Sequence, residues 1–257
     1  MTPNSTCKAA SGKSFDMPRI FRTVLLGLGL CLPGFVALGD EFTSAQRAEI
    51  VKIMRDALKQ DPSILRDAVA ALQADETGKQ KEMLAAAKTS LIDPGDPVAG
   101  NPHGDVTIVE FFDTRCPYCR KLEPTMADLL ARDHGVRVVF KDLPILGPPS
   151  VLGSKALLAA QKQGGYEKLR DAIMSAPPQT TKAMIQDAAE HLGLDWPRLQ
   201  HDMDDPTIQA RIDANLKLAR SVGIEGTPAL IIGGELIPGA VEGDELRSAI
   251  AKARATK

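Results

Sequence analysis

The chain has 257 residues, 44% of them apolar and 25% charged, with 31 basic and 33 acidic side chains and four cysteines. That is the composition of an ordinary globular protein, long enough for one good-sized domain and an appendage. A formal charge of −2 argues against a nucleic-acid partner, 4% aromatic residues argue against a stacking platform for single strands, and four cysteines are too few for a disulfide-built scaffold.

The first segment reads as a targeting signal. Arg19 and Arg22 precede an uncharged, Leu- and Gly-rich run from Thr23 to Gly39, which closes on the small residues Ala37-Leu38-Gly39. A positive flank, a short apolar run and a small-residue exit make a secretory signal peptide over residues 1–39, with Met17 as an alternative start. A membrane span wants about 20 apolar residues, and this run holds Pro33 and several glycines. Leu30 stands before Cys31, where a lipoprotein site needs a small residue. Cleavage near Gly39 would place the chain in the periplasm and leave Cys116 and Cys119 as its cysteines.

From residue 40 to 92 the apolar residues recur at helical spacing. Ile50, Ile53, Met54, Ala57 and Leu58 form one stripe, and Ile64, Leu65, Ala68, Val69 and Leu72 another. Asp61-Pro62 divides them as an N-cap and a first-turn proline, and a third, charged segment runs from Asp75 to Leu91 with Gly78 inside it. Asp93-Pro94-Gly95-Asp96-Pro97 then breaks the pattern. Residues 40–92 are read as a helical arm, and residues 97–257 as the main domain.

Past the break, Val106 to Phe112 is a β-branched and aromatic buried strand that runs into Cys116-Pro117-Tyr118-Cys119 and a helix marked by Leu122, Met126, Leu129 and Leu130. A second strand spans Val136 to Phe140. The text from 150 to 222 is almost wholly helical, cut at Gly164-Gly165, Pro177-Pro178, Gly193 and Pro206. Ala229 to Ile232, a Gly233-Gly234 turn and Leu236-Ile237 make a hairpin, and Asp244 to Ala253 a closing helix.

The Cys116–Cys119 pair has four readings. A four-cysteine zinc site needs a second pair, and His103, His134, His191 and His201 follow no finger spacing. Covalent haem needs a histidine where Arg120 stands. A structural disulfide across so small a loop removes little chain entropy. A redox dithiol at a strand-to-helix junction fits best. Pro117 suits the first helical position, so Cys116 falls at the N-cap, where free N–H groups and the positive helix end favour a thiolate. Arg115, Arg120 and Lys121 add positive potential. Cys119, one turn in, is the shielded, resolving thiol.

Phe111-Phe112-Asp113-x-x-Cys116-Pro117-Tyr118-Cys119 resembles the active-site segment of the DsbA-type thioredoxin-fold proteins of bacterial periplasms. Lys141-Asp142-Leu143-Pro144-Ile145-Leu146-Gly147 is similar to the segment after the family's next strand, and Gly226-Thr227-Pro228-Ala229 to its cis-proline loop. The resemblance covers residues 97–253. Gln46-Arg47-Ala48-Glu49-Ile50 and Asp61-Pro62 resemble the N-terminal region of the ScsC (suppressor of copper sensitivity) subgroup. The resemblance implies an α/β thioredoxin fold with a helical insertion at about 150–222, preceded by the α-helical arm. It implies a cis Thr227–Pro228 bond facing Cys116, with the Thr227 backbone pairing with substrate. It further implies Glu110, six residues before Cys116, as proton acceptor for Cys119; the alternative for Glu110 is a strand residue facing solvent.

The expected function is periplasmic thiol–disulfide exchange with unfolded or misbridged proteins, without a cofactor and with a membrane redox partner. The family's strong oxidases carry Pro-His between the cysteines; Tyr118 supplies no such cation, which favours isomerase or reductase work over net oxidation. The alternative is a Cu(I)-binding copper-tolerance protein using the Cys116 and Cys119 thiolates, since soft thiolates select Cu(I). The arm is expected to make a homo-oligomer, a trimer by the ScsC resemblance.

Overall fold

The computed structural model describes residues 42–177 and 179–256; the expected signal peptide, Cys7 and Cys31 lie outside them. The described residues divide into two compact units, one up to Gln60 and one from Asp61. That division falls inside the expected arm of 40–92, at the Asp61-Pro62 step that separates its two apolar stripes. In the first unit, Thr43 and Gln46 form a capping box: Gln46 N–H donates to Thr43 Oγ1 at 3.3 Å and Thr43 N–H to Gln46 Oε1 at 2.9 Å. This starts α1 (Ser44–Gln60), which buries none of its residues and leaves Ile53 and Met54 each 59% exposed.

The second unit opens with α2 (Ser63–Ala86) and α3 (Lys88–Leu91). Asp61 Oδ1 accepts from Ser63 N–H at 2.9 Å, so the helix begins one residue later than the sequence suggests. Gly78 does not interrupt it. A single glycine costs an exposed helix only about 1 kcal/mol, and the Asp75–Lys79 ion pair at 2.8 Å spans the position. The separate third segment expected from Asp75 is thus the second half of α2. Only the far end of α2 and the end of α3 dock: Leu84 of α2 and Leu91 of α3 are buried, and Gln80 Nε2 donates to Val222 O at 2.7 Å.

A five-stranded mixed sheet follows, formed by β1 (Val98–Gly100), β2 (Val106–Phe112), β3 (Val136–Asp142), β4 (Ala229–Ile232) and β5 (Glu235–Pro238) in the order β1-β3-β2-β4-β5. β2 and β3 are parallel, joined by α4 (Pro117–Arg132); the other pairings are antiparallel. β1, unforeseen in the sequence, is a three-residue edge. Between β3 and β4 lies the insertion: α5 (Pro148–Gln161), α6 (Tyr166–Ser175), α7 (Lys182–His191), α8 (Trp196–Asp202) and α9 (Pro206–Ser221). α10 (Gly243–Ala255) closes the chain.

Strand alternation sorts the core. Val106, Ile108, Phe112, Val136, Val138, Phe140, Leu230 and Ile232 share one cluster with α4, α5, α6 and α10; Val109, Phe111, Val139, Ala229 and Ile231 face Leu84, Leu91 and Ala219 in the other. Glu110 and Asp142 fall by the same alternation on the first face, Lys141 on the second. This is a thioredoxin-type α/β fold with a helical insertion, preceded by helices, as the sequence implied.

Candidate active site

β2 ends at Phe112, and the chain turns through Asp113-Thr114-Arg115 into α4. The turn is fixed by one buried carboxylate. Asp113 Oδ1 accepts from Arg115 N–H at 2.8 Å, and Oδ2 from Ile145 and Leu146 N–H at 2.9 and 3.0 Å. Asp113 O accepts from Cys116 N–H at 3.0 Å. Arg120 locks the other side: its guanidinium donates to the carbonyls of Met174, Ala176 and Thr114. The turn is thereby stitched to the loop after β3 and to the end of α6.

Cys116 is the N-cap of α4, with an extended backbone (φ −69°, ψ 121°) and Pro117 in the first turn. Both site cysteines are free thiols, Cys116 5% exposed and Cys119 fully buried. Thr227–Pro228 is cis, and Cys116 Sγ lies 3.1 Å from Thr227 O. As a thiol, Cys116 donates to that carbonyl. As a thiolate it is stabilised first by the Cys119 side chain, then by the Thr227 side chain and the N–H groups of Cys119 and Tyr118. Together these outweigh burial and bring the group down to about 5. The two cysteines are therefore opposite in character: burial and the adjoining Cys116 push the Cys119 thiol far up.

Glu110 is fully buried, which removes the solvent-facing alternative. Burial is the main cause that lifts its carboxyl to about 7, Arg170 pulls it down, and Glu123 adds to the rise. Its charge bears on Cys119, which lies on the same side of the sheet. Arg170, Glu123 and Asp113 carry parts of the site that the sequence did not reveal. Arg120, expected as diffuse positive potential, spends its donors on carbonyls, and Lys121 pairs with Glu242 at 3.2 Å on the surface. Tyr118, between the cysteines, is 63% exposed, and Ile145 and Leu146, whose N–H groups bond Asp113, are 43% exposed each.

Residues 107–251 match the DSBA-like thioredoxin domain, and residues 46–77 the copper resistance protein ScsC N-terminal domain. The chain belongs to the DsbA-like thioredoxin family. A thioredoxin-like oxidoreductase from Silicibacter pomeroyi DSS-3 is 41% identical, with a TM-score of 0.62 over 64% of this chain and 95% of that one. Proteus mirabilis ScsC in a transitional conformation is 29% identical, with a TM-score of 0.63 over 84% of this chain and 98% of that one. Among curated proteins, the Na(+)/H(+) antiporter NhaA 3 of Salinispora tropica is 29% identical over 187 residues. That match covers 69% of this chain and 29% of the antiporter, so the chain spans under a third of that relative's length.

A DsbA-like domain with an acidic thiol at a helix start, a shielded second thiol one turn in and a carbonyl beside them has the parts for disulfide exchange. The thiolate is the attacking form and the better leaving form. Among the described residues no group of three or more His, Cys, Asp and Glu side chains is placed to hold a metal ion.

Proposed function

We propose that this protein is an exported thiol–disulfide oxidoreductase that exchanges disulfides with protein substrates. Cys116 is the nucleophile, Cys119 the resolving thiol and Glu110 the acceptor of its proton. The Thr227 backbone, held beside Cys116 by the Pro228 loop, pairs with the substrate chain. The observation that carries this reading is the opposed pair of thiols at the start of α4, one drawn down to about 5 and the other pushed up.

Isomerase or reductase work is favoured over net oxidation. Tyr118 brings no positive charge between the cysteines, and the exposed apolar side chains of Tyr118, Ile145 and Leu146 suit unfolded, misbridged chains. The N-terminal helices support self-association, with a trimer as the proposed state. Ile50, Ile53, Met54 and Leu58 of α1 and Ile64, Leu65, Val69 and Leu72 of α2 are all exposed in a single copy, more uncovered apolar surface than a soluble monomer usually carries. Closed symmetry would gather several Cys116 sites around one misfolded substrate. The proposed location is the periplasm, after cleavage near Gly39, with a membrane protein resetting the dithiol.

The test is reactivation of a scrambled-disulfide substrate. Wild type should restore activity and Cys116→Ala should not; equal recovery with both would refute the proposal. A second reading rests on the two adjoining free thiols, a soft donor pair suited to Cu(I). Tight Cu(I) uptake by the reduced protein, without disulfide turnover, would favour that reading instead.

A further inference from the structure

Arg170 is the most heavily engaged buried cation on the site's side of the sheet. It sits in α6, 3% exposed, and its guanidinium carbon lies 4.7 Å from the Phe112 ring centroid and 4.2 Å from that of Phe140. Nη1 and Nη2 each reach a Glu123 oxygen at 2.6 Å, a two-pronged pair, and Nη2 also lies 3.3 Å from both Glu110 oxygens. Glu123 stands one turn after Cys119 on α4, and Glu110 lies on β2. One guanidinium thus joins the strand that carries the buried carboxylate, the helix that carries both cysteines, and the insertion. Its place over the faces of both rings adds cation–π attraction, and its planar fork suits the two-pronged pair with Glu123 in a way a flexible ammonium does not.

We infer that Arg170 is a positioning residue for the resolving step, holding Glu110 under Cys119 while Glu123 competes for the same guanidinium. This rests on the exchange reading above and deepens it. In the step concerned, substrate sulfur is bonded to Cys116. The Cys119 thiol gives its proton to the Glu110 carboxylate, and the Cys119 sulfur attacks the Cys116 sulfur. The Cys116–substrate bond breaks and the Cys116–Cys119 bond forms. The substrate leaves as a thiolate; across the two steps its disulfide gains two electrons and the protein loses two.

Both carboxylates lean on one cation, so their effects on Glu110 oppose each other. Arg170 favours the ionised, proton-accepting form and Glu123 disfavours it. The other polar groups around Glu110 are Cys119 on α4, Tyr166 on α6 and, through Tyr166, Asp142 on β3, whose Oδ2 accepts from the Tyr166 hydroxyl at 2.8 Å. Asp171 reaches Arg170 from the solvent side at 3.7 Å. β4 sets only Leu230 opposite Glu110.

The experiment is stopped-flow reaction of the reduced full-length protein with a fluorescent peptide disulfide, followed against pH. Attack by Cys116 is the concentration-dependent phase; resolution by Cys119 is the concentration-independent one. Arg170→Met should move the midpoint of the second phase to higher pH, slowing it about fivefold at pH 7 for a one-unit displacement, and leave the first phase alone. Arg170→Lys should recover part of the loss. Glu123→Gln should move the midpoint the opposite way, to lower pH. A merely structural role would not shift the two midpoints in opposite directions. Unchanged midpoints in natively folded Arg170→Met and Glu123→Gln would overturn the inference. If Arg170→Met fails to fold, an unshifted Glu123→Gln midpoint overturns it alone. Absence of any Cys116-dependent first phase in wild type would instead refute the exchange reading on which it rests.

Discussion

Lowering Cys116 from an ordinary 9.0 to about 5 has a sharp kinetic consequence. At pH 7 a group titrating near 5 is ~99% thiolate and one near 9 only ~1%, a hundredfold difference in the reactive form. Intrinsic nucleophilicity falls with pKa, however, with a Brønsted coefficient of about 0.4–0.5, so four units cost about sixtyfold per thiolate. The two nearly cancel at pH 7, and a rate measured there says little. At pH 5.5 they do not cancel. The thiolate ratio is then ~2400, and Cys116 should be alkylated about fortyfold faster than an ordinary cysteine. The assay is iodoacetamide labelling of the wild type and of the Cys119→Ala and Cys116→Ala variants against pH, read by mass. In the wild type Cys116 should label with a midpoint in the region of pH 5; the Cys119 side chain is the largest cause of that value, so the Cys119→Ala midpoint should lie above it and still below the ordinary 9.0. Cys119 should stay unlabelled across neutral pH. Midpoints near 9 for Cys116, or an acidic Cys119, would refute the account of the helix start.

The same shift makes the reduced fold pH-sensitive. The folded value is depressed, so its stabilisation is full above about pH 9 and is lost as pH falls through 5. At pH 7 it amounts to at most ~3 kcal/mol; because the raised Glu110 and Asp142 carboxyls act in the opposite sense over the same range, it is read as the excess of the reduced wild-type urea midpoint over that of Cys116→Ala, which should shrink between pH 8 and 5, and a constant difference contradicts this. The reduction potential should lie between the roughly −270 mV of thioredoxin, whose thiol titrates near 7, and the roughly −120 mV of DsbA, near 3.5; equilibration with glutathione reads it, and a value outside that window breaks the link. Asp113→Asn keeps the shape but gives up a carboxylate oxygen that accepts two N–H groups, so it should cost ~2–4 kcal/mol in urea unfolding with an unchanged m-value, against less than ~0.5 if the turn does not depend on it. Asp96→Ala should cost ~3–5 kcal/mol, because it strands the buried Lys141 ammonium 2.6 Å away; a change under ~1 would show that water reaches the pair. Removing residues 1–60 should leave the second unit folded with its dithiol active while lowering the oligomeric state in sedimentation; a monomer with and without the segment refutes self-association.

Much of this was legible in the sequence where the signal is local. The strand Val106–Phe112, the helix start at Cys116-Pro117 and the breaks at Gly164, Gly193 and Pro206 lie where composition and spacing place them. Gly78 misled because the cost of one glycine is small beside the helix around it. The face of Glu110 was undecidable because both sides of β2 are covered, so every residue from Ile108 to Phe112 is buried and apolar alternation vanishes. Asp93 to Pro97 looks like a linker, yet Asp96 is 5% exposed and tied to Arg211, 115 residues away, at 2.7 Å. Arg170 meets Glu123 and Glu110 across 47 and 60 residues. Contacts of that range leave no periodic trace; only the folded sheet and its insertion bring such charges together.

The central claim, that Cys116 attacks and Cys119 resolves, is tested most directly by trapping. Full-length Cys119→Ala in reduced form, incubated with a scrambled-disulfide protein substrate and quenched with acid, should accumulate a substrate adduct that dithiothreitol removes and that maps by mass to Cys116. Cys116→Ala under the same conditions should trap none. An adduct on Cys119 in the Cys116→Ala protein, with none on Cys116 in the other, would contradict the account.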